Sequence, residues 1–414
     1  MRRTKYWAGA RRVALAAGVT AILGAVAVGQ GADREPPPIP VPDYAVPEQN
    51  AFDDYQAAIA AEPNPLPNPD PVGQIYQEGR TAPDLGWAAL EPYQPVLEAL
   101  REGLPKVCLM PEVTSFDMLL PYLAKFRHFT RVLCVEGWLH EQDGDTAAAL
   151  GSYLDAMKLG QDAARGGPLI HKLVSIACET IALKETRACL AQAQPDEGTL
   201  ADLVTRLQTF EQHEVPLSDT LAFEHHATQQ GIDELPDDPQ KLAELLGQVN
   251  GEAPSPLLRQ PLDREQIKRE MAWYYAQAIT LARLPYPQVA GADPTVGHNP
   301  VVQMLAPAVN NVRRKDVEHQ ADLRGTILLA ALELYHVRHG AYPAALQDLT
   351  PDCLPALPLD PFAEKPFCYR TDPDGYTLYS VGPNLTDDGG WMAPNRGDRD
   401  TQGDLVYSLV AWPE

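Results

Sequence analysis

A helical stripe that ends abruptly constrains this chain more than any other feature. From Ala321 onward, Ile327, Leu328, Ala331, Leu332 and Tyr335 recur at three- and four-residue steps, the spacing of a helix with one apolar face. Gly340 then offers the left-handed residue that closes a helix, and Pro343 just beyond it cannot continue one. Short aromatic and β-branched runs at 367–370 and 376–381 flank Asp372-Pro373-Asp374-Gly375, a turn signal that predicts a hairpin. Residues 404–410 read as a third strand. A helix that buries its stripe against a small antiparallel sheet satisfies all of these pieces together.

After Gly382 the chain becomes acidic and glycine-rich. Asn384, Asp387 and Asp388 precede Gly389-Gly390, and Asp398, Asp400 and Asp404 return just before the last predicted strand. Hard oxygen donors on such a loop suit calcium, which accepts about six to eight oxygens in loose geometry. A solvated acidic loop, with Arg396 and Arg399 neutralising part of its charge, is the other reading.

Three short motifs follow one another here: Gly340-Ala341-Tyr342-Pro343, Leu359-Asp360-Pro361-Phe362 and Tyr379-Ser380-Val381-Gly382-Pro383-Asn384. Their order and spacing resemble the C-terminal globular domain of the type II secretion major pseudopilins, over roughly a quarter of the chain. In that family the helix continues from an apolar stalk directly after a short processed leader that ends in Gly, with Phe and Glu just beyond. Here a long helical region intervenes and no such processing site is found. The resemblance implies a calcium ion in the acidic loop, with Asn384 and Asp404 as ligands and Asp387 or Asp388 between them. Asn384 stands where the family usually has Asp. Because pseudopilin heads pack against their neighbours, the resemblance also implies protein partners and a link to a type II secretion-like system.

Residues 76–300 read as almost wholly helical. Gly137, Gly144, Ala149, Tyr153 and Ala156, within 126–160, have the spacing of two antiparallel helices in close approach, with Gly144-Asp145 at the turn. This unit resembles a tetratricopeptide-type helix pair. Leu133 and His140 replace the usual aromatics, and no second copy follows at the repeat period. A single repeat cannot build a solenoid, so the expectation is one such hairpin inside an irregular helical domain. Further helices are expected over 169–191, 198–214 and 264–282, and Pro236 to Pro261 reads as a loop-rich insert with a short helix. The expected fold is therefore mainly α: this irregular helical domain, then a small α+β pseudopilin-like domain at 305–414 with a long helix on an antiparallel sheet.

At the other end, Arg2, Arg3, Lys5, Arg11 and Arg12 precede an uncharged run at 13–29. A positive flank before an apolar run directs the rest of the chain across a membrane. Residues 1–30 are thus expected to be a signal peptide, cleaved near Ala25-Val26-Ala27, or a retained single-pass anchor. Either places the protein on the periplasmic, extracytoplasmic side. Residues 31–75, dense in Pro, Asp and Glu, read as an extended spacer holding the folded part away from the membrane. Within it, Asn50 to Ala58 reads as a short helix docked on the protein's own body. The formal net charge of −23 repels phosphate backbones and anionic lipid, which argues against nucleic-acid partners and confines membrane contact to the N-terminal segment.

An exported protein can pair its cysteines, and Cys353 and Cys368 are the one pair inside the same small domain, hence the candidate bridge. Cys178 and Cys189 lie about 16 Å apart along one expected helix and cannot bridge each other. Buried thiols are expected for these two, as for Cys108 and Cys134. No phosphate-binding loop, nucleophile elbow or paired Cys-x-x-Cys is present. His140-Glu141 and His213-Glu214 each lack the second histidine of a zinc-binding helix. Glu136 and His140 are spaced as an ion pair, Glu179 and Glu185 read as solvated, and Glu224-His225-His226 is the remaining acid–base or metal candidate. The leading expectation is a non-catalytic assembly component that acts through protein contacts. The alternatives are an extracytoplasmic hydrolase with its site around His171, Glu179, His225 or His226, and an adhesin or sensor outside secretion.

Overall fold

The computed structural model describes residues 35–407 other than 68–69, 71, 75–85, 116–117, 239, 243–261, 373–374 and 394–401. The expected leader at 13–29, most of the insert before Pro261, Arg396, Asp398, Arg399, Asp400 and the end of the third strand at 408–410 lie outside the described residues. Among the described residues, no helix is long and apolar enough to cross a membrane.

The first helix, α1 (Ala51–Ala60), begins where Asn50 accepts a hydrogen bond from Phe52 N at 3.2 Å. The same amide exchanges hydrogen bonds with the Leu109 backbone at 2.8 and 2.9 Å, just after α2 (Gln94–Gly103). Ala51, Tyr55 and Ala58 are buried and α1 packs on α2, so this is the docked helix expected from the sequence. The segment before it is less of a spacer than its composition predicts. Ile39 packs into an apolar cluster, and Tyr44 stacks on Phe223, lies under Arg165 and donates to Asp219 at 2.9 Å. Side chains set among the prolines anchor residues 39–44 to the helices, which proline content alone does not reveal.

Helices α3 (Pro121–Gln142) and α4 (Thr146–Asp162) form the closely packed pair expected within 126–160. Asp145 caps α4 by accepting from Ala148 N at 3.0 Å. Gly137 is small for a steric reason: a Cβ there would lie 2.4 Å from Tyr153 Cε1. Against this pair packs α5 (Leu169–Gln192), followed by α6 (Glu197–Gln212), α7 (Leu217–Glu234) and α8 (Arg264–Ala282), with α7 and α8 side by side. Two short helices, α9 (Tyr286–Val289) and α10 (Pro300–Leu305), lead into the 31-residue α11 (Val309–His339).

Helix α11 closes at Gly340, whose φ of 73° is left-handed and whose N–H donates to His336 O at 2.8 Å. Beyond it, Tyr342 folds back to donate to the Glu333 carboxylate at 3.1 and 3.2 Å, and Tyr376 donates to the same group at 3.2 Å. The sheet is small and antiparallel. Strand β1 (Leu359–Asp360) pairs with β2 (Lys365–Pro366), and β3 (Cys368–Asp372), β4 (Gly375–Ser380) and β5 (Leu405–Val406) form a second sheet in that order. Asp372 faces Gly375 across the hairpin, as the turn signal predicts. Asp360 ties the two sheets together, accepting from Phe362 N at 2.9 Å, Ser380 Oγ at 2.8 Å and Val381 N at 3.0 Å.

One apolar cluster runs from Tyr55 and Phe126 through α5 and α6 to Leu328 and Leu332 on α11, then on to Leu378 and Tyr407 of the sheet. The main core therefore crosses the expected boundary at 300–305, and α11 belongs to both sides of it. A second cluster joins α7, α8 and α10 around Leu221, Met271 and Val302.

Three local expectations fail for identifiable reasons. Glu136 does not pair with His140: it accepts from Arg101 and from Ser152 Oγ at 3.0 Å, while His140 packs edge-on against Trp87. Cys353 and Cys368 are not bridged. Cys353 lies beside Arg338, and Cys368, on β3, lies 3.9 Å from Asp387 Oδ2. Glu179 is wholly buried rather than solvated, because its face of α5 is covered by α11. The buried thiols Cys108, Cys134, Cys178 and Cys189 are as expected.

Candidate functional site

Two polar stripes meet inside the helical packing. On α5, Lys172, Ser175 and Glu179 are spaced by three and four residues and so share one face of the helix. Asp316 and His319 do the same on α11. Between them stands Glu214, in the corner joining α6 to α7, where Pro216 prevents the helix from running on. Lys172, Glu179 and His319 are almost or wholly inaccessible, and Glu214 keeps 17% of its side-chain surface.

Each charge in this cluster has a counter-charge. Lys172 Nζ donates to Glu214 Oε2 at 2.8 Å and lies 3.2 Å from Asp316 Oδ1. His319 Nε2 lies 3.2 Å from both Glu214 Oε1 and Glu179 Oε2. One Nε2 proton cannot fully satisfy both oxygens, so Glu179 Oε2 is left short of a hydrogen bond, although Glu179 Oε1 accepts from Ser175 Oγ at 2.6 Å. Burial, reinforced by the nearby Glu214 carboxylate, raises the Glu179 carboxyl to about 7. Burial acts on Glu214 in the same direction, but Lys172 and then His319 outweigh it and hold that carboxyl well below the usual range. For His319, burial disfavours the charge and the two glutamates more than restore it, so the imidazolium is stabilised. The two carboxylates thus have their proton affinities driven apart, a pattern common at functional sites and also produced by structural ion pairs. Among the described residues, Glu179, Glu214 and His319 are the one group of three such ligand-bearing side chains within 4.8 Å of one another. Asp316 also lines a cleft of about 270 Å³ with Tyr286, Arg313, Arg324, Asp360 and Glu364.

The acidic loop is built differently. Asp404 is 1% exposed, and its two oxygens accept from Asp388 N at 3.2 Å and Gly390 N at 2.6 Å. Asp387 accepts from Tyr379 OH at 2.9 Å and Gly389 N at 3.0 Å, and Asn384 Nδ2 donates to Asp388 at 2.8 Å. Oxygens that the pseudopilin resemblance would give to calcium are thus engaged by the loop's own N–H and O–H groups.

Nor do the catalytic candidates of the helical domain share a partner. His171 meets Tyr122 OH at 2.9 Å, His225 lies against Tyr275 and Gln229, and His226 reaches Glu112 at 3.0 Å. Glu224 accepts from Leu169 N at 2.8 Å, holding the first turn of α5. Sequence reading noticed Glu214 and Glu179 but gave neither its partner, and missed Lys172, Asp316 and His319. No signal singled them out, because residues 313–320 are mostly charged or polar and Asp316 and His319 read there as solvated.

No family model, no curated protein and no solved structure matches this chain.

Proposed function

We propose that this protein is a non-catalytic, extracytoplasmic assembly component in which a pseudopilin-like C-terminal unit is carried on a helical body and presents its surface to protein partners of a type II secretion-like system. The observation that carries the reading is the linkage of the motifs behind the resemblance. The Asp360-Pro361-Phe362 turn is clasped through Asp360 to Ser380 and Val381, and the residues after Gly340 are tied to α11 through Glu333. This linkage of the second and third motifs, beside a first motif anchored on α11, supports the reading. Support also comes from the exterior, where Val337, Leu359 and Trp391 on that unit are each about half exposed. The basic flank ahead of the run at 13–29 supports the compartment.

The test is affinity purification of the tagged chain from solubilised membranes, followed by mass spectrometry. Recovery of pseudopilins or other secretion-machinery subunits, reduced by Trp391→Ser, is the expected result. A chain recovered alone, or found in the cytoplasmic fraction, would sink the proposal.

A further inference from the structure

We infer that Glu179, Glu214 and His319 form a binding site for one divalent cation of the zinc class, which fastens α11 to α5 and to the α6–α7 corner. Geometry is the first reason. Zinc holds nitrogen and oxygen ligands at about 2.0–2.2 Å, so adjacent donors around a tetrahedral ion lie about 3.3–3.5 Å apart. His319 Nε2 lies 3.2 Å from one oxygen of each glutamate, close to that separation. The third edge, between the two glutamates, lies within 4.8 Å.

Orientation is the second. Each carboxylate turns one oxygen towards the common point while its other oxygen is held from behind, Glu179 Oε1 by Ser175 and Glu214 Oε2 by Lys172. Outer partners of this kind aim the ligands of a metal site. Glu179 Oε2 is the informative atom. It belongs to a side chain with no exposure, points into the cluster and faces only His319 Nε2 at 3.2 Å, a nitrogen whose single proton it must share with Glu214. A buried carboxylate oxygen left in that state is costly, and a cation would satisfy it.

Charge is the third. Metal binding takes the place of the His319 proton, and the carboxylates of Glu179, Glu214 and Asp316 then face the single ammonium of Lys172, an excess of two negative charges. A divalent ion neutralises that excess. One imidazole with two carboxylates suits a borderline ion better than calcium or magnesium, which favour all-oxygen shells. The three elements that supply the ligands pack together only in the folded chain, so the ion would bind the native state and add to its stability.

The experiment uses the full chain, stripped with chelator, dialysed, and titrated with Co²⁺ as a spectroscopic probe. Expected are one Co²⁺ per chain, visible absorption of a low-symmetry site, and bleaching of that absorption by Zn²⁺. Zinc at about one hundred times its dissociation constant should raise the folding equilibrium constant about 100-fold. Glu179→Gln and His319→Gln should each abolish the absorption while circular dichroism reports an intact helical fold. Should either variant fail to fold, the wild-type stoichiometry and zinc-dependent melting decide the matter. Wild-type protein that retains no stoichiometric metal and melts identically with and without zinc would overturn the site in favour of a metal-free ion-pair cluster. Absorption that survives both substitutions, but is lost on Asp388→Ala with Asp404→Ala, would overturn it by locating the ion in the acidic loop.

Discussion

His171 should make the fold acid-labile, and the size of the effect follows from its surroundings. The imidazole has no accessible surface, meets Tyr122 OH through Nε2, and has no partner for Nδ1 among the described residues. Protonation would place a charge and an unsatisfied N–H in the interior, and burial accordingly pushes its pKa down to about 4 from the ordinary 6.5. The unfolded chain binds a proton at this residue below pH 6.5, which the folded chain refuses until pH 4. Stability from this group is therefore complete above pH 6.5 and is lost as the pH falls towards 4. At pH 4 the loss amounts to about 3 kcal/mol, taking 1.36 kcal/mol per pKa unit and half-protonation of the folded form. His171→Gln keeps a polar atom near Nε2 for Tyr122 and cannot titrate. Urea unfolding of both proteins at pH 7, 6, 5 and 4 isolates the term, because the other ionisable groups cancel in the difference. His225, also pushed down to about 4 by burial and then by His226, leaves the variant a residual slope. Parallel stability curves for the two proteins between pH 7 and 4 would show that His171 is hydrated or protonated in the folded state, and the argument would fail.

Gly137→Ala should cost about 1–3 kcal/mol in denaturant unfolding, because the new methyl meets the Tyr153 ring and overpacking outweighs the gain in helix propensity; an unchanged midpoint would mean that α3 and α4 separate freely. Asp404→Ala strands the N–H groups of Asp388 and Gly390 and should cost about 1–3 kcal/mol. That loss should be the same with calcium or with chelator in thermal melts; a calcium-dependent rise confined to the wild type would return the loop to an ion-binding role. The isolated segment 307–414 should show no cooperative unfolding transition, since it exposes Leu328 and Leu332 to water. A sharp transition for that segment would show that the sheet alone completes the core around α11.

Local structure was legible wherever a residue acts on its own neighbours. Gly340 ends α11 because the left-handed turn costs glycine little, and Asp145 and Asn50 cap their helices through groups two or three residues away. The docking of α1 and the closeness of α3 and α4 at Gly137 were equally readable, as each is a short-range match of size and polarity. The spacer reading at residues 39–44 misled because proline content reports backbone stiffness and says nothing of where Ile39 and Tyr44 find a partner. The continuity of the core across residues 300–305 was hidden for a related reason. A stripe at three- and four-residue steps shows that a helix has an apolar face, but α11 is apolar around much more of its circumference between Leu323 and Leu334, which only two covering surfaces can satisfy.

The buried cluster lay beyond sequence reading because its chemistry is assembled from three elements, and each residue alone has an ordinary explanation. Glu179 beside Lys184 and Glu185 reads as part of a wet face, and His213-Glu214 reads as an incomplete zinc-binding pair. The missing imidazole comes from His319, more than one hundred residues later, and only the packing of α11 onto α5 brings it within 3.2 Å of both glutamates. That packing has an energetic consequence for the whole molecule. A helix joining body to C-terminal unit must bury Asp316 and His319 against Lys172 and Glu179, so removing one member leaves an uncompensated charge where water cannot reach it, typically at a cost of about 3–5 kcal/mol. The cluster therefore penalises any arrangement in which α11 shifts by a turn along α5, since every charge would then lose its partner together. Apolar contacts between Leu328, Leu332 and the body tolerate sliding far better, because one aliphatic surface resembles the next. Register along this interface is set by the ions and its strength by the aliphatic core.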